Sequence, residues 1–127
     1  MRHDIGTNYT VAESHEAKEW TAAANNGDSV DHKDGGSVTF FLTAGTIGGS
    51  GTVDMKVQYS DDDSSWTDDP GTAGNDDAIT QIVAAGTAQL DVPNPLGRYS
   101  RVIMTTAVAT SIVGVVSILG PLRVVDA

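Results

Sequence analysis

The feature that most constrains the fold is a strict alternation of apolar and polar side chains between residues 53 and 59. Every second position is apolar and the positions between are polar or charged: Val53, Met55, Val57 and Tyr59 alternate with Asp54, Lys56 and Gln58. Successive side chains of a β-strand point to opposite faces, so this run predicts a strand with one buried face. A second alternating run covers residues 38–42. The glycine-rich link at residues 45–51 joins the two runs and predicts a β-hairpin.

Weaker strand signals follow at residues 78–84, 88–92, 99–105 and 111–119, with turn-forming segments between them. The composition agrees, because 14 Val, 14 Thr and 7 Ile stand against only 5 Leu, and branching at Cβ suits a pleated, half-buried surface. Short strands with turns at near-regular intervals predict an all-β protein. The expected architecture is an antiparallel β-sandwich or a partly open, jelly-roll-like barrel.

The first 26 residues have a different pattern from the rest. Residues 12–19 contain all 3 Glu of the chain and lack a clean apolar face. We therefore expect residues 1–26 to form an N-terminal arm, extended or partly helical, and residues 27–127 to form a single β-sandwich domain. The arm is either ordered by a partner or a disordered tail.

Charge excludes several classes of partner. The net charge of −10 disfavours binding to nucleic acid or to an anionic membrane. The apolar run at residues 112–119 is too short to span a bilayer, and the first residues lack the apolar run of a signal peptide. Residues 61–77 contain seven Asp and no Lys or Arg. This segment is either a solvated loop or a docking site for the basic C-terminal strands of another copy.

The sequence predicts no enzyme, no cofactor and no metal site. Residues 59–69 are rich in the oxygen ligands that Ca²⁺ prefers, but they lack the glycine and the glutamate of an EF-hand loop. They also resemble a single Asp-box, with the spacing to Trp66 one residue short. The three histidines, His3, His15 and His32, precede the first confident strand and belong to no catalytic motif. We therefore expect no catalytic residues.

Large aromatic side chains are the candidates for binding. Stacking of Trp20, Trp66, Tyr9 and Tyr99 on a sugar is one hypothesis, since small β-sandwiches bind glycans in this way. Because Tyr9 and Trp20 lie in the predicted arm, the favoured hypothesis is that they anchor the arm on a neighbouring subunit.

Residues 37–119 resemble a family of small tailed-bacteriophage virion proteins that are similar to capsid decoration, or cement, proteins. The resemblance depends on the order of several short motifs, each ordinary alone: Val30-Asp31 before Ser37-Val38-Thr39-Phe40, then Val57-Gln58-Tyr59-Ser60-Asp61-Asp62 leading to Trp66-Thr67-Asp68, then Arg98-Tyr99-Ser100-Arg101-Val102, and a final alternating run that ends in Gly120-Pro121.

This resemblance implies a structural protein on the outer surface of the virion capsid, where it bridges neighbouring capsid subunits. The implied partners are the major capsid protein and further copies of the chain, with a trimer favoured. Five residues are the expected interface: Tyr9, Trp20, Arg98, Arg101 and Arg123. A tail or head–tail module and a glycan-binding sandwich are the alternatives. A glycan binder should expose an aromatic platform on one sheet face, whereas a cement protein should present a self-complementary edge.

Overall fold

The alternating runs at residues 38–42 and 53–59 form extended strands. The computed structural model describes residues 9–33 and 36–120, and these residues contain no helix. Consequently, no helix that could cross a membrane occurs in these two ranges. The strands are β1 (Thr10–Trp20), β2 (Ala23–Asn26), β3 (Val30–Asp31), β4 (Ser37–Ile47), β5 (Thr52–Ser60), β6 (Thr67–Asp68), β7 (Gly86–Val92), β8 (Tyr99–Ala107) and β9 (Ser111–Gly120).

The strands form two antiparallel sheets that pack face to face. Sheet A has the order β1-β9-β4-β7, and sheet B has the order β2-β8-β5-β6, with β3 also paired to β8. The core between them is built from side chains at alternate positions, including Phe40, Leu42, Met55, Leu90 and Met104, all at most 1% exposed. Each such side chain contributes about 1.5–3 kcal/mol when fully buried. The predicted all-β sandwich is confirmed.

The predicted hairpin between residues 38–42 and 53–59 is wrong. β4 lies in sheet A and β5 lies in sheet B, so the link between them carries the chain from one sheet to the other. The amide of Gly51 donates to the carbonyl of Gly48 (2.7 Å), which closes the turn. Alternation determines which face of a strand is buried, but it does not determine whether two strands lie side by side or across the core.

The N-terminal segment is part of the sandwich, which corrects the expected boundary at residue 27. β1 pairs with β9 from Thr10, opposite Leu119, to Trp20, opposite Ser111. β2 pairs with β8 in the other sheet. Residues 10–26 therefore supply an edge strand to each sheet, and none of them is helical. Residues 1–8 of the predicted arm lie outside the described residues.

Two register shifts explain why the sequence pattern missed β1. The shifts lie between Glu13 and His15 and between His15 and Lys18. They place the consecutive residues Ser14 and His15 both in buried positions, which breaks the alternation that identifies a strand. Nε2–H of His15 donates to the carbonyl of Asn25 (2.8 Å). This hydrogen bond ties β1 of sheet A to β2 of sheet B.

Candidate functional site

The outer face of sheet A contains an apolar groove, which we call the sheet A groove. Its most exposed apolar side chains are Phe41, Val116 and Ile112, with 36%, 40% and 46% of their surface accessible. The groove has a volume of about 330 Å³ and is also lined by Ala17, Thr43, Gly45 and Gly114. An apolar depression on the solvent side of a sandwich is typical of an interaction surface.

The groove forms where β1, β9 and β4 lie next to one another. Phe41 of β4 lies opposite Val116 of β9, and Thr43 lies opposite Gly114. Because Gly114 has no side chain, β1 approaches closely there: a Cβ on Gly114 would lie 2.9 Å from Cβ of Ala17. Larger side chains surround this glycine, so the surface is concave.

The lining of the groove is suited to binding an apolar side chain rather than to chemistry. Its one carboxylate is Glu13, which lies opposite Val116 on the neighbouring strand. The other titratable group, His15, is buried, and its imidazole is hydrogen-bonded to Ser14 and Asn25. Burial lowers the pKa of His15 because it disfavours the charged imidazolium.

Adjacent apolar residues in β4 and β9 indicate this groove in the sequence, although the strand prediction considered only the alternating positions. Phe40 and Phe41 are adjacent, as are Val115 and Val116, so each of these strands has apolar side chains on both faces. One member of each pair fills the core, whereas the other is exposed on the outer face. A central strand with two apolar faces indicates that its solvent side is also a contact surface.

The outer face of sheet B is mainly polar, and Arg101 of the inner strand β8 lies on it. Its guanidinium lies 4.2 Å from the ring centroid of Trp66. Nε and Nη2 of Arg101 donate to Oε1 of Gln58 at 3.0 and 2.9 Å. Gln58 donates in turn to Asp68 (2.8 Å), whose other oxygen accepts from Lys56 (3.1 Å). Arg101 is thus held by partners within the chain.

Arg98 is also partnered within the chain. Its Nε and Nη2 each donate to a different oxygen of Asp31, both at 3.1 Å, and its guanidinium lies over Tyr99. Hydrogen bonds from Arg98 lower the pKa of Asp31, and the carboxylate raises the pKa of Arg98. The structure thus brings Arg98 and Arg101 to one end of β8, each over an aromatic ring.

The predicted interface residues do not form one cluster. Trp20 is half-buried against the core, and its indole N–H donates to the carbonyls of Glu16 and Val113, both at 3.0 Å. It therefore anchors β1 to its own sandwich. Tyr9 is half-buried just before β1, and Arg123 lies outside the described residues. The interface role of these residues stays a prediction.

The acidic segment closes on one of its own carboxylates. Oδ1 of Asp62 accepts hydrogen bonds from Oγ of Ser60 (2.9 Å) and from the amides of Ser64 (2.9 Å) and Ser65 (2.8 Å). The two amide bonds, from Ser65 and Ser64, are the main cause of the lowered pKa of Asp62. Within residues 9–33 and 36–120, no three His, Asp or Glu side chains are grouped so as to hold a metal ion.

The fold is similar to that of the SPBc2 prophage-derived protein YomS, with a TM-score of 0.57 and 16% identity over 87% of this chain and 91% of YomS. The structure of PirA gives a TM-score of 0.42 and 14% identity, covering 94% and 96% of the two chains. A structure described as "Bacillus endospore appendages form a novel family of disulfide-linked pili" gives a TM-score of 0.44 and 19% identity, covering 91% of each of the two chains. No family model and no curated protein match the chain. Likeness at this level of identity with YomS shows a shared fold.

Proposed function

We propose that the chain is a structural virion protein that binds the outer surface of a phage capsid and bridges neighbouring capsid subunits. Its partners are the major capsid protein and further copies of the chain, and it is not an enzyme. The observation that carries this proposal is the sheet A groove, in which Phe41, Ile112 and Val116 are exposed together. Burial of such a patch against a partner protein supplies binding energy without any chemistry.

The distribution of charge supports an orientation for the bound molecule. The sheet A groove contains one carboxylate, Glu13. The acidic segment at residues 61–77 instead continues from β5 and includes β6, both in sheet B. Sheet A therefore faces the shell, and the acidic end of sheet B faces solvent, away from the packaged genome.

The likeness to YomS gives further support, because YomS is described as prophage-derived. A shared fold is compatible with many functions. The motifs between residues 30 and 121 that resemble phage decoration proteins favour a virion role among those functions.

Stabilisation of the shell follows from mass action. A protein that binds two neighbouring subunits only when they are assembled lowers the free energy of the assembled state by RT ln(1 + L/Kd) per site, where L is its free concentration. The body that bridges them needs to be rigid, and a disulfide-free sandwich with a continuous apolar core meets that requirement.

The glycan-binding alternative is disfavoured by the outer face of sheet B. Arg101 lies over the ring of Trp66, and Arg98 lies over Tyr99, so one face of each ring is already occupied within the chain and is not available for stacking on a sugar. A tail or head–tail module remains the alternative that the following experiment separates from the proposal.

The test compares the binding of two lysine variants to tail-free capsids. Val116→Lys places a charge in the sheet A groove opposite Glu13, and Thr105→Lys places the same charge on sheet B opposite Asp54. Each new lysine faces a carboxylate across the strands, so both variants should fold equally well.

Capsids of the encoding phage, free of tails, are sedimented with each variant and the bound protein is quantified. We expect the wild type and Thr105→Lys to saturate the capsid and Val116→Lys to bind about tenfold less tightly. Binding of the wild type to tails or portals alone would establish the head–tail alternative. Equal binding of Val116→Lys and the wild type would show that the sheet A groove is not the capsid-binding surface.

A further inference from the structure

We propose that two copies of the chain pair edge to edge through β7, so that sheet A becomes one continuous sheet of eight strands across a twofold axis. This deepens one part of the proposed function, the association of the chain with copies of itself. The inference depends on the hydrogen-bonding state, charge and regularity of the β7 edge.

The free edge of β7 has backbone groups without partners at two positions. β7 pairs with β4 on one side only. On the other side, the carbonyl of Asp91 accepts from the amide of Asp76, and the amide of Asp91 donates to the Asp76 carboxylate, both at 2.9 Å. Backbone groups of alternate residues in a strand point to the same side. Those of Thr87 and Gln89 therefore point outward, and no partner for them occurs among the described residues.

The other edges are protected against such pairing. β1 contains two register shifts and the charged residues Glu13, Glu16, Lys18 and Glu19. On sheet B, β3 and β6 have two residues each and β2 has four. Bulges, charges and short length are the devices that prevent edge-to-edge association. Among the described strands, β7 alone combines a regular edge with an uncharged one, from Gly86 to Leu90.

Charge favours a second copy of the same chain as the occupant. Copies with a net charge of −10 repel one another, and a contact surface without carboxylates avoids adding close pairs of like charges to that repulsion. Residues 78–90 carry no charged side chain, and Val83, three residues before β7 begins, is 64% exposed. The uncharged edge is thus a surface through which two acidic copies can approach closely.

The positions of the free groups determine the register. Antiparallel pairing that uses both free residues places Thr87 opposite Gln89 of the second copy, with Ala88 facing its own counterpart on the twofold axis. Each Thr87–Gln89 pair exchanges two hydrogen bonds, so the interface contains four. A shift toward Asp91 is blocked because its backbone groups are already bonded to Asp76.

This symmetry gives the bridging function a geometric basis. A twofold axis perpendicular to the sheet keeps the outer faces of both copies on the same side. The dimer therefore presents two sheet A grooves to one surface, one for each of two capsid subunits. It also predicts a dimer rather than the trimer that the family resemblance implies.

The first experiment measures the mass of the chain alone in solution by light scattering. We expect a dimer for the wild type and for Thr105→Lys on sheet B, and a monomer for Gln89→Pro. The proline removes an outward N–H without removing a bond to β4, so an edge position tolerates it. A monomeric or trimeric wild type, or a folded Gln89→Pro that stays dimeric, would overturn the proposal.

The second experiment uses the absence of cysteine from the chain. In Ala88→Cys the two thiols face each other in a non-hydrogen-bonded pair, with Cα atoms about 4.5 Å apart, which is within the range of a disulfide. Mild oxidation should give one covalent dimer for Ala88→Cys and none for the surface control Thr105→Cys. Equal cross-linking of the two variants would contradict the twofold register. Since both experiments use the chain without capsids, their result is independent of the capsid-binding test.

Discussion

The guanidinium of Arg101 lies 4.2 Å from the ring centroid of Trp66 and donates two hydrogen bonds to Gln58. Trp66 lies in the segment between β5 and β6, whereas Arg101 and Gln58 are paired residues of β8 and β5. A single side chain on a central strand therefore holds the acidic segment against sheet B. The same contact occupies one face of the Trp66 ring.

Arg101→Lys should destabilise the chain by about 1 kcal/mol, because lysine keeps the charge but loses the planar fork that bonds Gln58 while stacking on Trp66. Urea unfolding followed by the fluorescence of Trp66, in a Trp20→Phe background, measures the change. Arg98→Lys is the matched control, since Arg98 forms an exposed ion pair with Asp31 and its loss should have a smaller effect. Equal effects of the two substitutions would contradict this assignment.

Gly114→Ala should destabilise the sandwich by about 1–3 kcal/mol, because the added Cβ would lie 2.9 Å from Cβ and 3.0 Å from Cα of Ala17. At Gly45, on the same face, an added Cβ would meet Ile112 at an ordinary 3.5 Å, so Gly45→Ala should be tolerated. Thermal unfolding by circular dichroism compares the two. An unchanged unfolding temperature for Gly114→Ala would show that β1 does not pack on β9 as described.

Trp20→Phe should lower the free energy of unfolding by about 1–2 kcal/mol, because phenylalanine lacks the indole N–H that donates to the carbonyls of Glu16 and Val113. Hydrogen exchange of the β1 amides should increase in this variant more than exchange of the β5 amides. If exchange of the β1 amides in Trp20→Phe increases no more than exchange of the β5 amides, Trp20 does not anchor β1.

Stability should decrease in two phases as the pH falls. Burial lowers the pKa of both His15 and His32 in the folded chain. Below the ordinary histidine pKa of about 6.5, the unfolded chain therefore binds more protons than the folded chain, and the free energy of unfolding falls. The second phase involves Asp31 and Asp68, whose pKa values are lowered by hydrogen bonds from Arg98 and from Gln58 and Lys56. Their stabilisation is present above the ordinary aspartate pKa and is lost as the pH falls through the folded values.

His15→Gln should reduce the slope of the first phase by about half, since two histidines contribute to it, and His32→Gln should have the same effect. Urea unfolding at several pH values between about 7.5 and 5.5 measures the slope. A free energy of unfolding that is constant over this interval would contradict the assignment of both groups.

The sequence alone determined the fold class and much of the core. Alternation over residues 53–59 placed Val53, Met55 and Val57 on an inner face, where the structure buries them to within 1% exposure. This inference succeeds because the direction of a side chain in a strand depends only on the parity of its position.

Only the tertiary structure decided which strands are neighbours and which surfaces are created between them. β4 and β5 lie on opposite sides of the core although they are consecutive in the chain. β1 was not predicted because two register shifts interrupt its alternation of buried and exposed residues. The sheet A groove combines Phe41 of β4 with Ile112 and Val116 of β9, and the free edge of β7 exists because the loop containing Asp76 covers only one end of it. Parity is a local property of the chain, whereas grooves and open edges arise from pairings between residues far apart in sequence.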